Sequence, residues 1–294
     1  MSGTAVAIRE VLPRDGFQDL DVRLPTDVKV AVIEALWGAG LRWIEITSMV
    51  HPKWVPQFAD AEEVLAAVRE LDGLTSSVFV PNRRGLDRAL GAEATEVSLV
   101  VASTDALSRE NFAMERDAAL AEIVAVSEDA AAAGARVSVT IGGAFGCPFE
   151  GAVADETVRA LVAAVAAAPV DSILLADTIG VARADDVARL VGAVADLVGD
   201  RPLGVHLHGG AGAVAGVLAG VGAGATLVDV STTGLGGCPF VPNAPGNVST
   251  EQTVAALHGA GIPTGVSEPA LAAAATEIRR LLDEVTDHDT VPAA

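Results

Sequence analysis

Apolar positions along this chain fall into two alternating patterns. Runs of four to eight residues rich in Val, Ile and Leu occur at AVAIREV (5–11), RWIEITS (42–48), TSSVFVP (75–81) and EVSLVVAS (96–103). Four more follow at RVSVTIG (136–142), DSILLAD (171–177), LGVHLH (203–208) and TLVDVST (226–232). The stretches between them are Ala-rich and fit helices near 26–39, 58–71, 84–91, 115–133, 154–168, 184–198, 211–222 and 250–260. Gly40, Gly91, Gly134 and Gly224 stand where helix C-caps are expected.

Near-continuous apolar strands separated by helices describe a parallel sheet covered on both faces. Eight such units predict an α/β fold, the (β/α)8 TIM barrel, over about residues 5–262, close to the roughly 250 residues that fold takes. The remainder, VSEPALAAAATEIRRLLDEV (266–285), predicts extra C-terminal helices. No low-complexity linker divides residues 1–294, so a single domain is expected. A doubly wound open sheet is the alternative, weakened because no GxGxxG follows the first strand and no P-loop is present.

Composition narrows the partners. With 51% hydrophobic and 20% charged residues the chain has ample material for a core. Its 19 Lys+Arg against 39 Asp+Glu give a net charge of −20, which argues against nucleic acid and anionic membrane as partners. A polyanionic ligand must therefore find local basic groups. The mean hydropathy is +0.44, yet apolar runs such as LVAAVAAAPV are short and interrupted, so no membrane span is expected. The start MSGTAVAIRE has no signal-peptide pattern, and the tail DHDTVPAA carries no organelle address. Two cysteines, Cys147 and Cys238, make no disulfide framework, and a cytoplasmic location is the expectation.

The chemistry collects at the strand ends, where a barrel of this kind carries its active site. Strand 1 runs into PRDGFQD, with Arg14, Asp15 and Gln18; strand 2 carries Glu45; strand 6 ends in Asp177 and Thr178. On strand 7, His206 and His208 are two residues apart and so face the same side. After strand 8 comes STTGLGGCPFVPNAPGN, holding Cys238, Asn243 and Asn247. Asp15, His206 and His208 supply one carboxylate and two imidazoles, and an amide oxygen such as that of Asn247 extends the set. Such oxygen-rich surroundings favour a divalent cation, Mg2+ or Mn2+, over structural zinc. Taken singly, Asp15 reads as a turn former and the histidines as core residues; their convergence on one rim favours the metal.

The segments REVLPRDGFQDL, IEITSMVHPKWVPQFAD, GCPFEG, ADTIGVA, VHLH and TTGLGGCPFVPNAPGNVSTEQTV together resemble the 3-hydroxy-3-methylglutaryl-CoA lyase family of the DRE-TIM metallolyases, from about residue 8 to 265. The resemblance implies a metal held by Asp15, His206, His208 and Asn247. It places Arg14 beside the thioester carbonyl, lines the substrate pocket with Gln18, Glu45 and Asp177, and puts Cys238 on a mobile loop that reaches the reacting carbon. It implies an acyl-CoA substrate cleaved to acetyl-CoA and a keto acid such as acetoacetate, and a homodimer or higher homo-oligomer.

The residue types suit that chemistry on their own terms. Breaking the C2–C3 bond of a 3-hydroxy thioester removes the hydroxyl proton, for which Asp15 and His206 are both candidates, with a metal making that hydroxyl more acidic. The electrons collect as an enolate that a permanent cation such as Arg14 stabilises. A thiol such as Cys238 is then a competent proton donor to C2.

Gly234, Gly236, Gly237 and Gly246, with three prolines, suggest that the 232–249 loop swings as a flap. Gly209 stands where the family usually has Asp, and Gly143 where many relatives carry a second cysteine. Cys147 and His51 are read as a structural and a solvated residue. The alternatives are a related lyase or condensing enzyme acting on another 3-hydroxyacyl-CoA or hydroxy acid, and a barrel that binds acyl-CoA without turnover.

Overall fold

A computed structural model describes residues 5–209, 211–237 and 245–289. Its eight strands are β1 (Ala7–Glu10), β2 (Trp43–Ser48), β3 (Thr75–Phe79), β4 (Glu96–Ala102), β5 (Arg136–Gly142), β6 (Ser172–Asp177), β7 (Leu203–Leu207) and β8 (Leu227–Val230). They pair in sequence order, all parallel, and β8 closes on β1 with Ile8 opposite Val228. The predicted TIM barrel is the fold observed.

The helices that cover it are α1 (Thr26–Gly38), α2 (Ala61–Val68), α3 (Arg83–Gly91), α4 (Asp105–Phe112), α5 (Arg116–Ala132), α6 (Asp155–Ala166), α7 (Ala184–Val198), α8 (Ala211–Gly222), α9 (Thr250–Gly259) and α10 (Glu268–Asp289). The C-terminal segment is the one continuous helix α10, packed against α1 and α9. Helix α4 has no counterpart in the expected elements. Gly40, Gly134 and Gly224 take positive φ after their helices, but Gly91 is the last helical residue of α3 and Glu93 (φ 63°) takes the left-handed position instead.

The outward faces of the strands are mostly apolar and the inward faces mixed. Their outward residues, among them Ile44, Ile46, Val97, Leu99, Val137 and Val139, are buried under the helices. Inside, polar side chains bond across the barrel: the Arg9 guanidinium donates to Ser138 Oγ at 2.8 Å and to both Asp229 oxygens at 2.8 and 2.7 Å. Ser98 donates to Glu45. Towards the N-terminal end, a Cβ on Gly204 would collide with Leu174 and Leu227, so glycine there lets two leucines fill the layer.

At the other end, β1 passes into a five-residue π-helical turn, Leu12–Gly16, which carries Arg14 and Asp15. Such turns are rare and frequent at functional sites. A bulge at Ile46 shifts the β2–β3 register directly after Glu45, the kind of irregularity that re-aims a neighbouring side chain.

Candidate metal centre at the barrel rim

Asp15, on the turn after β1, meets His206 and His208 from β7, and one potential ligand atom from each lies within 4.8 Å of the others. All three residues are buried. His206 Nε2 and His208 Nε2 face each other at 3.0 Å, and Asp15 Oδ2 is 4.0 Å from His206 Nε2.

The far nitrogens decide what those facing atoms are. His206 Nδ1 contacts Asp229 Oδ2 at 3.1 Å, and His208 Nδ1 contacts the Pro245 carbonyl at 2.9 Å. Both partners only accept, so each Nδ1 carries the proton and, in the neutral rings, each Nε2 presents a lone pair. Two such lone pairs and a carboxylate converging on one point are suited to hold a cation between them. The donor set fits a divalent ion, with each imidazole held from behind by an oxygen.

The surrounding charges reinforce this. Burial pushes the Asp229 carboxyl up, but the Arg9 guanidinium and His206 outweigh it and hold it down at about 2. Burial also raises Asp15, yet Arg14, the two imidazoles and Asn247 bring it below the ordinary range. Burial and His206 press His208 down to about 4, so it is neutral and able to ligate near pH 7. Desolvation lowers His206, and the facing carboxylates Asp229 and Asp15 reverse it to a net rise.

Arg14 spans two carboxylates. Its Nε donates to Glu45 Oε2 at 2.5 Å and its Nη1 to Asp15 Oδ1 at 2.6 Å. The guanidinium carbon lies 5.1 Å from the Phe79 ring centroid. Nη2 has no acceptor among the described residues. Gln18 Nε2 donates to the same Asp15 oxygen at 2.9 Å and to the Gly237 carbonyl at 3.2 Å. Asn247 donates its amide nitrogen to Asp15 Oδ2 at 2.6 Å and to the Leu235 carbonyl at 3.0 Å. It therefore meets the site through nitrogen, whereas its oxygen was the expected ligand.

Asp177 departs from expectation. The inward positions of β6 are Leu174 and Ala176, so the next residue faces away from the barrel axis. Its carboxylate accepts the backbone N–H groups of Val181 and Ala182 at 3.1 and 2.8 Å, while Ala176 and Thr178 line the cavity in its place. Burial pushes this carboxyl up, against those backbone bonds.

Cys238 and Asn243 lie outside the described residues. Both ends of their loop are pinned. Gly209 N donates to the Gly246 carbonyl at 3.0 Å, and a Cβ on Gly236 (φ +109°) would strike the Asn247 amide and the Asp15 carbonyl. Gly236 thus serves close approach to the Asp15 turn. Cys147 is buried beside Thr104 Oγ1 at 3.0 Å, and His51 is exposed. Gly209 has φ +122°, which suits glycine and strains any other residue.

Two residues of the centre, and a third that braces the turn after β8, were not among the expected site residues. Arg9 and Asp229 form the pair behind His206. Glu10 accepts hydrogen bonds from the backbone N–H groups of Leu12 and Thr232 and from the hydroxyls of Thr232 and Thr250. Their signal was present: charged residues inside apolar strands, at REV and LVDV.

A cavity of about 1300 Å³ opens over these groups and runs outward between the loops after β2, β3 and β4, past Trp54, Arg84 and Met114. A closed parallel barrel with a carboxylate and two oriented imidazoles beneath such a cavity is a TIM barrel with a candidate metal centre at its rim. Residues 5–278 match the HMGL-like family, and the chain belongs to it. It is 39% identical over 269 residues to the hydroxymethylglutaryl-CoA lyase of Pseudomonas mevalonii, covering 91% of this chain and 89% of that one. The crystal structure of hydroxymethylglutaryl-CoA lyase from Pseudomonas aeruginosa superposes with a TM-score of 0.90 at 35% identity, covering 95% and 93% of the two chains. An HMG-CoA lyase from Acinetobacter baumannii, solved with coenzyme A and 3-methylmalate, gives 0.90 at 34% identity, with 95% and 92% covered. Like those relatives, the chain is a carbon–carbon lyase. No helix among the described residues is long and apolar enough to cross a membrane.

Proposed function

We propose that this protein cleaves 3-hydroxy-3-methylglutaryl-CoA, or a closely similar 3-hydroxyacyl-CoA, to acetyl-CoA and a keto acid, acetoacetate in the first case, with Mg2+ or Mn2+ as cofactor. The observation that carries the reading is the convergence of two imidazole lone pairs and the Asp15 carboxylate beside an Arg14 nitrogen left free to donate. Asp15, His206 and His208 would hold the ion, and the Asn247 oxygen would join them if its amide turned over. The ion supplies positive charge that makes the substrate's 3-hydroxyl more acidic.

The chain's own groups do the rest. Asp15 and His206, which both face the centre, are the two candidates to take the hydroxyl proton. As C2–C3 breaks, its electron pair moves into the thioester as an enolate, and Arg14 Nη2 is the donor to that oxygen. Glu45 and Gln18 keep Arg14 and Asp15 in register through the bonds described above. Cys238 is the proposed proton donor to C2, on the strength of its motif. Two cysteines without a disulfide framework support the cytoplasm as the compartment.

A second reading, cleavage of a different 3-hydroxyacyl group, rests on Gly209, which removes a carboxylate and adopts a backbone conformation an aspartate would resist. Acetyl-CoA release from a panel of 3-hydroxyacyl-CoAs, with Mn2+ and with EDTA, separates the two. Metal-dependent release from the methylglutaryl thioester supports the first reading. Faster release from another member supports the second, and no release from any overturns both.

A further inference from the structure

We propose that Ser98 is a positioning residue for the reaction: by engaging one oxygen of Glu45 it limits that carboxylate to a single bond with Arg14, and so keeps Arg14 Nη2 free for the substrate. The inference rests on the role given to Nη2 above and adds the residue that makes that nitrogen available.

Two arginine–carboxylate pairs lie inside this barrel, and they are built differently. Arginine and a carboxylate commonly meet through two parallel bonds, one to each oxygen. Arg9 and Asp229 do so, with Nε and Nη2 donating to the two oxygens at 2.8 and 2.7 Å. Arg14 and Glu45 do not. Arg14 Nε donates to Glu45 Oε2 at 2.5 Å, and Nη2, the nitrogen that completes the Arg9 pair, stays uncommitted among the described residues.

The second carboxylate oxygen makes the difference. Glu45 Oε1 accepts the hydroxyl of Ser98. Ser98 lies on β4 and Glu45 on β2, with β3 between them, and the bond spans that gap because both side chains face the barrel interior while Val97 and Leu99 point outward. Ser77, the register partner of Glu45 on β3, makes no hydrogen bond to it among the described residues. Ser98 is buried at the cavity wall, so little water competes for its hydroxyl.

The other contacts hold the guanidinium in one pose. Nη1 donates to Asp15 Oδ1 at 2.6 Å, and the Phe79 ring centroid lies 5.1 Å from the guanidinium carbon. The freedom that remains is rotation of the Glu45 carboxylate about its soft terminal torsion. Without the Ser98 hydroxyl, Oε1 is a buried acceptor lacking a donor, and Arg14 Nη2 is the uncommitted N–H on its own partner. A carboxylate that turns to take it withdraws Nη2 from the thioester oxygen.

The test measures cleavage by Ser98→Ala and Ser98→Thr, with Ser98→Ala also combined with Arg14→Lys, on whichever 3-hydroxyacyl-CoA the unsubstituted protein cleaves fastest. In Ser98→Ala, kcat should fall about tenfold or more, since a hydrogen bond to a charged group is worth at least one such factor. KM and Mn2+ affinity, the latter read by calorimetry, should stay within twofold, because the lost contact forms only as the enolate does. Ser98→Thr keeps a hydroxyl and should bring kcat back to within threefold. An Arg14→Lys protein has no Nη2 to release, so adding Ser98→Ala to it should lower kcat less than twofold. The inference is overturned by near-normal kcat in Ser98→Ala, by the same fractional loss in both backgrounds, by an equal loss in Ser98→Thr, or by Mn2+ affinity falling in step with kcat. An unsubstituted protein that cleaves no thioester overturns the lyase reading and the inference with it.

Discussion

At the scale of single residues, the centre depends on groups that never touch an ion. Asp229 fixes the His206 tautomer from behind and is itself held by two Arg9 nitrogens. Asp229→Ala removes the acceptor of the Nδ1 proton and leaves Arg9 buried without its partner. Metal affinity should fall by about 10- to 100-fold, the usual cost of losing such a support. The fold should lose about 3–5 kcal/mol, as breaking a buried pair does. Mn2+ calorimetry and denaturant melts check both, and unchanged affinity would remove Asp229 from the centre. Arg14→Lys is equally telling. One ammonium cannot reach Glu45 and Asp15 with separate nitrogens and still offer a third to the substrate. Turnover should drop by at least about 10²-fold, the order seen when an oxyanion donor is lost. Near-normal kcat in Arg14→Lys would move that role elsewhere. The rim residues Arg14, Asp15, Gln18, His206 and His208 were legible because each sits near a strand end in a recognisable motif, and Glu45 through the segment IEITS that resembles the family. Arg9 and Asp229 were not, because their roles arise from a β1–β8 closure that joins residues 220 positions apart. Asp177 misled because closeness in sequence to the rim says nothing of which way a strand residue points.

At the scale of elements, periodicity carried the barrel and its eight strands to within a few residues, since burial on both faces leaves a long apolar signature. Helix α4 was missed for the opposite reason. Its eight residues, DALSRENF, are mostly polar, and its clearest local sign is the Thr104 cap accepting from Leu107 N at 3.3 Å. Glu10 shows how elements are tied together, joining β1 to the turn after β8 and to the start of α9. Burial pushes its carboxyl up from 4.5 to about 7, against the four hydrogen bonds that favour the charged form. A carboxyl whose folded pKa is raised binds its proton more tightly in the native state. Its stabilising contribution is therefore whole below pH 4.5 and lost as pH rises through about 7. The full swing is about 3 kcal/mol at 1.36 kcal/mol per pH unit. Glu10→Gln, which stays neutral, should flatten the decline of stability between about pH 5 and pH 8, read by denaturant melts across that range. Parallel slopes in the two proteins would mean that Glu10 does not titrate there.

At the scale of the whole molecule, the centre links distant parts of the chain. Asp15 follows the first strand and His206 and His208 end the seventh, so an ion between them bridges the seam where β8 closes the barrel. An unfolded chain cannot hold those three groups together, and binding to the native state alone stabilises it by mass action. With free Mn2+ at 100 times its dissociation constant the gain is about 2.7 kcal/mol. An unfolding entropy of about 2.1 cal/mol/K per residue converts this to a Tm rise of about 4 °C for a chain of this length. EDTA should reverse the rise and abolish turnover, and restored Mg2+ or Mn2+ should recover both. His206→Ala should show neither the Tm rise nor the activity, because two remaining ligands hold an ion poorly. Differential scanning calorimetry of the two proteins with Mn2+ and with EDTA makes the comparison without any substrate. A Tm indifferent to Mn2+, or a rise of equal size in His206→Ala, would place the ion away from the β1–β7 rim and take the chemistry proposed for it with it.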